Sequence, residues 1–522
     1  MSTERPNRLP QFIRIGLLIC VMLAIASAGG GCYLLQRQLW MDEIHSWLLI
    51  QEPQTQRSLQ ALADGVDYNP PTYILLARQL RYLPGGITES GLRWLSVSLM
   101  FLAIAGMFVV LQRRFPLLVC VAAVLMMASS VHLIHQSTEI RFYPLWCAAC
   151  AWLCVVLDSH GIQRPWMLCL NNVVAVLLAG VITTTHYFGI LTLGLICIGA
   201  MLVPNLTRGR RRMIVLVACT GGLCLVSCLT FLIGQRAAIT RSTWVSPATV
   251  DDSIGFLAAM FPLVPMIICG VAFVISTSLR KSGEQHADPA VAENSKTPDA
   301  APAVGHHARQ LAPSLLLALM PLVIVLLSWT VQPALVTRYA VPGILGFGAI
   351  FAILLSRCGP RLQMLMVVAG GVMFLRGVAF CSHQWQEVDR TREILVTQLK
   401  SLPADGPIVF EDRTVSMPVL HSHPELHARC SLLDFKDDQL TSDSRLRIVQ
   451  RDVSRRIAQW YPAYTIRSLE SLENERTFFV IPYVESPSAS LLWPADHRKS
   501  SVSAGIDRYD RKATETSTVP IE

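Results

Sequence analysis

Leu39-Trp40-Met41-Asp42-Glu43-Ile44-His45-Ser46-Trp47 stands directly after the first long apolar run of the chain. Two adjacent carboxylates, a histidine and two tryptophans fall where the backbone would leave a bilayer. Acids are expensive in hydrocarbon and ordinary in water, so a pair at this depth needs a reason. One reason is bland: an interfacial aromatic belt with solvated acids. The other is chemistry at the membrane surface. The stretch alone does not choose, so the choice rests on the chain around it.

The chain has 522 residues, of which 52 % are hydrophobic and 15 % charged. Its mean hydropathy is +0.44. A soluble domain carries roughly 25 % charged residues, so this is a polytopic α-helical membrane protein. The net charge of +8 does not point to nucleic acid. Many arginines lie in short loops between apolar runs, as topology determinants do, and no basic groove interleaved with aromatics is visible. The 15 cysteines show no metal-ligand spacing. Cys147, Cys150 and Cys154 share one apolar run and read as helix-packing residues. Cys381 and Cys430 lie in the polar C-terminal part, where an extracytoplasmic location would permit a disulfide; sequence leaves the pairing open.

A spanning helix needs about 20 apolar residues. The first run, 15–35, follows the basic residues Arg5, Arg8 and Arg14. Ala26-Ser27-Ala28 resembles a signal-peptidase site, but the run continues past it. Runs near 92–111, 116–135, 142–158, 167–185, 188–204, 213–234, 254–278, 312–331, 339–356 and 361–380 also qualify, which gives eleven crossings. The stretch 71–83 does not qualify. As a helix it would be about 20 Å long, against a hydrocarbon core of about 30 Å, and it carries Arg78 and Arg81. It reads as an amphipathic helix at the membrane surface.

Charge parity tests the count. With a cytoplasmic N-terminus, eleven crossings put Arg113-Arg114, Arg164, Arg208 with Arg210-Arg211-Arg212, Arg280-Lys281, and Arg357 with Arg361 inside. Every inside loop is then basic, as the positive-inside rule demands. The outer loop 235–253 carries Arg236 and Arg241, so the bias is not absolute. A twelfth crossing at 71–83 would move most basic clusters outside. The expected layout is a transmembrane domain over 1–380, with a first outer loop at 36–91 and a disordered cytoplasmic linker at 281–311. A small extracytoplasmic α/β domain follows over 382–522, with strands at 407–410 and 478–481 and helices at 386–400 and 444–459. No internal repeat is visible, which weakens an inverted-repeat transporter.

This layout gathers the conspicuous polar residues near membrane depth on one face. They are Asp42-Glu43, the segment Asp67-Tyr68-Asn69-Pro70-Pro71-Thr72-Tyr73, Arg93, then His132, His135, Glu139, Arg141 and Tyr143, then His186-Tyr187, and Arg338-Tyr339. Each has a dull reading alone. Arg93 and Arg338 can snorkel from helix starts, Glu139 and Arg141 can pair locally, and Tyr143 and Tyr187 suit an aromatic belt. The dull readings do not explain why acids, histidines and arginines share a face. Arginines and a histidine can bind phosphate oxygens. A carboxylate can take a proton from a hydroxyl or amine. A tandem acid pair divides into a base and an orienting group. Together these suit group transfer from an anionic lipid.

The arrangement resembles the GT-C membrane glycosyltransferases, in the branch of protein O-mannosyltransferases and lipid A aminoarabinose transferases. Five local matches carry the resemblance, in order, across roughly residues 1–380. They are Asp42-Glu43; Asn69-Pro70-Pro71-Thr72-Tyr73, like the family's His-Pro-Pro segment; Leu92-Arg93-Trp94-Leu95-Ser96; Glu139-Ile140-Arg141-Phe142-Tyr143-Pro144-Leu145, like its Ala-Arg-x-Tyr-x-Leu; and Arg338-Tyr339.

The resemblance implies inverting transfer of a sugar from a polyprenyl-phosphate donor to an acceptor at the extracytoplasmic face, in a bacterial inner membrane. The acceptor class stays open among glycolipid, polysaccharide and protein. On matching positions Asp42 is the general base and Glu43 assists it or orients the acceptor. Arg93, Arg141 and Arg338 are candidates for the donor phosphate, while His186 and Tyr143 line the cavity. Tyr68, Asn69, Glu139, Tyr187 and Tyr339 complete the candidate substrate site. The family's basic residue before the double proline is Asn69 here, which donates a hydrogen bond but adds no charge. No firm metal-ligand set is readable, and a divalent cation stays open. A transporter or flippase of a lipid-linked or anionic solute is the alternative, as is a silent scaffold in envelope assembly.

Overall fold

Each of the ten runs between 92 and 380 folds as one helix or as two successive helices. The computed structural model describes residues 30–158, 165–204, 206–238, 248–285, 308–436, 445–482, 497–503 and 506–512. The N-terminal arginines, Ala26-Ser27-Ala28 and most of the linker 281–311 lie outside the described residues.

Three helices are long and apolar enough to cross a membrane singly: Glu89–Gln112, Thr337–Leu355 and Pro360–Ser401. Three further pairs qualify only together. Leu117–Ala128 with Val131–Ser137 bends by 76°, Arg208–Ser227 with Leu229–Arg236 by 45°, and Val250–Met260 with Leu263–Ser278 by 62°. Tyr143–Leu157, Cys169–Thr185, Gly189–Met201 and Met320–Thr330 are shorter apolar helices. By length and composition the described residues therefore hold three to six spans, short of the eleven counted from runs. Hydropathy along the chain does not register the breaks. At 261–262, for example, Pro262 has no N–H to continue the ladder.

Helix ends and faces follow from local chemistry. Thr88 caps Glu89–Gln112 by accepting from Gly91 N, and Glu89 sits favourably in the positive first turn. Leu177, Leu223, Ile233, Ile267, Leu326 and Val372 are more than half exposed, as side chains facing lipid must be. Between helices, small residues allow close approach. A Cβ at Gly346 would meet Ala318 N at 2.3 Å, so the Val341–Leu355 backbone packs nearly directly on Ala312–Leu317 and its continuation.

The stretch 71–83 forms no crossing. It folds as Thr72–Ala77 continued by a 3-10 turn, Arg78–Tyr82. Arg78 is buried and donates to Leu49 O at 2.9 Å and Ile50 O at 3.3 Å, which ties this segment to the end of the helix Met41–Gln51.

The last helix does not stop at the membrane. Pro360–Ser401 runs unbroken for 42 residues, about 63 Å, through the expected boundary near 380 and into the C-terminal part. There a six-stranded sheet forms: β1 Ile408–Phe410, β2 Cys430–Asp434, β3 Ile466–Ser468, β4 Thr477–Ile481, β5 His497–Ser503 and β6 Ile506–Arg511. The order is β3-β2-β1-β4-β6-β5, with β3, β2, β1 and β4 parallel and the β5–β6 hairpin added antiparallel. The fully buried runs of β1 and β4 suit inner strands covered on both faces. Arg413–Ser422, Arg445–Trp460 and the short Leu469–Glu473 are the helices between β1 and β2, β2 and β3, and β3 and β4. Cys381, in the long helix, and Cys430, in β2, are free thiols.

Candidate functional site

The site grows from the first turn of Met41–Gln51. Asp42 and Glu43 occupy that turn, where the helix dipole favours negative charge. One residue of helix turns the two side chains about 100° apart, and their surroundings differ accordingly.

Glu43 has no solvent exposure. Its Oε2 pairs with Arg37 at 2.6 Å and Arg93 at 3.5 Å and accepts from Trp40 N at 3.2 Å. Its Oε1 accepts from Ile140 N at 2.8 Å. Arg93 also donates to Arg37 O, and Ser96 Oγ donates to Glu139 O at 2.6 Å. Both Glu43 oxygens are thus engaged, and they gather the segments around residues 37, 93 and 140 onto the helix start.

Asp42 keeps 8 % exposure. Its Oδ2 pairs with Arg338 at 2.8 Å. Burial pushes this carboxyl up, but Arg338, and then Arg141, outweigh it and bring it down to about 2. Asp42 is therefore ionised at neutral pH. The Arg338 guanidinium also lies 5.4 Å from the centroid of the Trp40 ring. One turn along, burial and the nearby charge of Arg413 take His45 down to about 3, so its imidazole is neutral.

Arg141 closes the next layer. Its NH1 donates to Asp67 Oδ2 at 2.7 Å, to Asp42 O at 3.0 Å and to Ser46 Oγ at 3.1 Å. Asp67 Oδ1 in turn accepts from Asn69 Nδ2 and Tyr68 N, both at 2.8 Å. Asn69, the residue before the double proline, therefore helps to shape that loop. His186 is wedged between Phe142 and Trp146, with ring centroids at 4.9 and 4.8 Å, and Tyr339 lies 5.2 Å away. Its Nδ1 accepts from Phe188 N at 3.1 Å, so its ring proton is on Nε2. The Tyr143 ring lies 6.3 Å from His186. Glu139 Oε1 meets His135 Nδ1 at 2.8 Å, and its Oε2 is buried without a hydrogen-bond partner.

The structure brings Asp42, Glu43, Asn69, Arg93, Glu139, Arg141, Tyr143, His186, Arg338 and Tyr339 to one end of the bundle. Tyr68 lies toward the C-terminal domain, within electrostatic reach of Arg413 and Arg456. Tyr187 sits to one side and donates to Gln235 at 2.8 Å, which in turn donates to Asn69 O at 3.1 Å. Sequence reasoning did not select Arg37, Gln235 or Arg413, and it noted His45 and Asp67 without giving either a place in the site. Asp67 had a signal, an acid within the motif segment, and Arg37 stood six residues before an acid that needs a cation. Arg413 had none. Among the described residues no group of three or more His, Cys, Asp and Glu side chains could hold a metal ion.

Removing one partner of a buried ion cluster leaves an uncompensated charge, with a cost of about 3–5 kcal/mol. Glu43→Ala is therefore expected to lower the thermal unfolding midpoint of the detergent-solubilised protein sharply, because Arg37 and Arg93 lose their shared carboxylate. An unchanged midpoint would show that this cluster does not hold the segments together.

No protein-family model matches the chain, and no curated protein matches it in sequence. Solved structures do. ArnT from Cupriavidus metallidurans bound to undecaprenyl phosphate superposes with a TM-score of 0.55 at 13 % identity, covering 97 % of this chain and 99 % of that one. The apo state of the same protein gives 0.55 and 13 %, covering 95 % and 97 %. At this identity the likeness is one of fold. It takes in the helical bundle and the C-terminal sheet together, and it is the GT-C fold that the five motifs led us to expect.

Proposed function

We propose that this chain is a membrane glycosyltransferase. It transfers a sugar, with inversion, from a polyprenyl-phosphate donor to a glycolipid, polysaccharide or protein acceptor. The observation that carries the reading is Asp42: an ionised, nearly buried carboxylate among guanidinium groups, at one end of a fold shared with a protein crystallised with undecaprenyl phosphate.

In this reading Asp42 accepts the proton of the acceptor hydroxyl or amine as that atom bonds to the anomeric carbon. The bond from that carbon to the phosphate oxygen breaks on the opposite face, and polyprenyl phosphate leaves with the electron pair. Arg338 lies beside Asp42 and keeps that carboxylate ionised and ready to take the proton. His186, Tyr143 and Tyr339 wall the sugar cavity. Glu43 is a positioning residue, since its engaged oxygens set the helix turn that presents Asp42. The protein sits in a bacterial inner membrane with its site and C-terminus extracytoplasmic and its N-terminus cytoplasmic. That orientation rests on the basic loops read from the sequence.

Asp42→Asn is expected to lower consumption of polyprenyl-phosphate sugar by the purified protein roughly 100- to 10,000-fold, in protein that still folds and inserts. Near-wild-type turnover would remove Asp42 as the base. A transporter would instead move its solute without consuming any donor.

The pH dependence tests the ion pair. Arg338 lowers the Asp42 carboxyl, so its removal leaves burial opposed mainly by Arg141. In Arg338→Gln the acid limb of the residual kcat/KM profile should move upward by about 1 unit or more. An unmoved limb means that another group sets it. A reporter fused after Glu522 should give an extracytoplasmic signal, and a cytoplasmic one would overturn the orientation.

A further inference from the structure

The candidate arginines of the bundle are already paired. Arg37 and Arg93 share Glu43, Arg141 holds Asp67, and Arg338 holds Asp42. Arg413 differs. It is 8 % exposed, and its Nε and NH1 are buried with no hydrogen-bond partner among the described residues. The neighbouring carboxylate does not serve it. Asp412 caps the helix by accepting from Thr414 N at 2.7 Å and from Thr414 Oγ1 at 2.6 Å, which engages both of its oxygens.

The placement of Arg413 is built. It opens the helix Arg413–Ser422, which follows β1 and packs on Met41–Gln51, the helix that carries Asp42. His421, near the far end, meets Glu89 Oε1 at 3.0 Å, and its ring lies 6.2 Å from that of Trp47. Glu89 starts the helix that carries Arg93. The Arg413 guanidinium is thereby held where its charge reaches Asp42, His45 and Tyr68. Asp42 and Asp412 act on Arg413 through charge alone, and a buried guanidinium whose Nε and NH1 make no hydrogen bond is unfavourable. A site that keeps one is prepared for an anion, and guanidinium suits phosphate oxygens with two parallel donors.

We propose that Arg413 reaches from the C-terminal domain into the site and binds the phosphate of the polyprenyl-phosphate donor, so that the sheet domain completes the donor site. This rests on the glycosyltransferase reading above and adds to it a phosphate contact from outside the bundle. The same guanidinium holds the leaving phosphate after the sugar has moved.

The test uses the full chain in lipid nanodiscs, with undecaprenyl phosphate and neutral undecaprenol as probes. The wild type should bind the phosphate lipid more tightly than the alcohol. Arg413→Gln should weaken undecaprenyl phosphate by roughly 10-fold or more, the scale of a charged hydrogen bond, and leave undecaprenol unchanged. Arg413→Lys, which keeps the charge, should recover part of the loss. The proposal is overturned if Arg413→Gln binds the phosphate lipid as the wild type does, if it loses both lipids equally, or if the lysine variant is as weak as the glutamine one. The first of these outcomes leaves the glycosyltransferase reading standing. A wild type that does not distinguish the two lipids would sink that reading, and this inference with it.

Discussion

A carboxylate shut away from water stays charged only where cations and N–H groups converge on it. Glu43 is that carboxylate, and much of the site end of the molecule hangs on how its needs are met. Arg37 comes from the segment before the helix, Arg93 from the Glu89–Gln112 helix, and Ile140 N from the turn before Tyr143. Segments far apart in sequence meet because one side chain draws on all of them. Arg37 in turn lies over the Trp385 ring at 3.8 Å, which brings the long last helix into the same arrangement.

Asp42 sits one residue away and lives differently. Its neighbour has spent both oxygens on structure, while Asp42 keeps an open edge and a single close cation. Two acids adjacent in sequence are thereby given unlike surroundings, the condition under which paired carboxylates can take different roles. The aromatic cage around His186 has a related effect on a different residue. It fixes a neutral ring among Phe142, Trp146 and Tyr339 and leaves positive charge in this part of the site to the arginines.

Much of this was legible in the chain. Apolar runs gave the helices, because burial in lipid demands long uninterrupted hydropathy. The buried strands β1 and β4 were legible as runs such as Pro407-Ile408-Val409-Phe410. His497–Ser503 and Ile506–Arg511 were not, since the edge strand β5 reads His-Arg-Lys-Ser-Ser-Val-Ser and its neighbour β6 reads Ile-Asp-Arg-Tyr-Asp-Arg, and neither carries a clear apolar alternation. Four of the five motifs pair a charge with a helix start, and the structure brings their charged residues together at one end of the bundle. A split between Asp42 and Glu43 was expected, but the contacts that separate them were hidden, since they depend on which side of one helical turn faces Arg37 and Arg93. Arg413 was hidden more deeply: it follows an ordinary strand and acquires meaning only when its helix lands on Met41–Gln51. The kinks that split three apolar runs into bent pairs were likewise invisible to hydropathy.

The helix Pro360–Ser401 joins membrane and sheet without a hinge. Its far half is keyed to the end of the first run by Tyr33 on Asp389 at 2.5 Å and to the start of the first loop by Arg392 on Leu39 O at 3.4 Å. A continuous helix is also a phase-setting shaft. Adding one residue between the bundle and Asp389 would turn everything beyond it by about 100° and lift it by about 1.5 Å. The sheet, and the guanidinium it carries, would then face away from Asp42. The segment joining the two halves of this protein is therefore intolerant of any change in length, whereas ordinary interdomain linkers accept such changes freely.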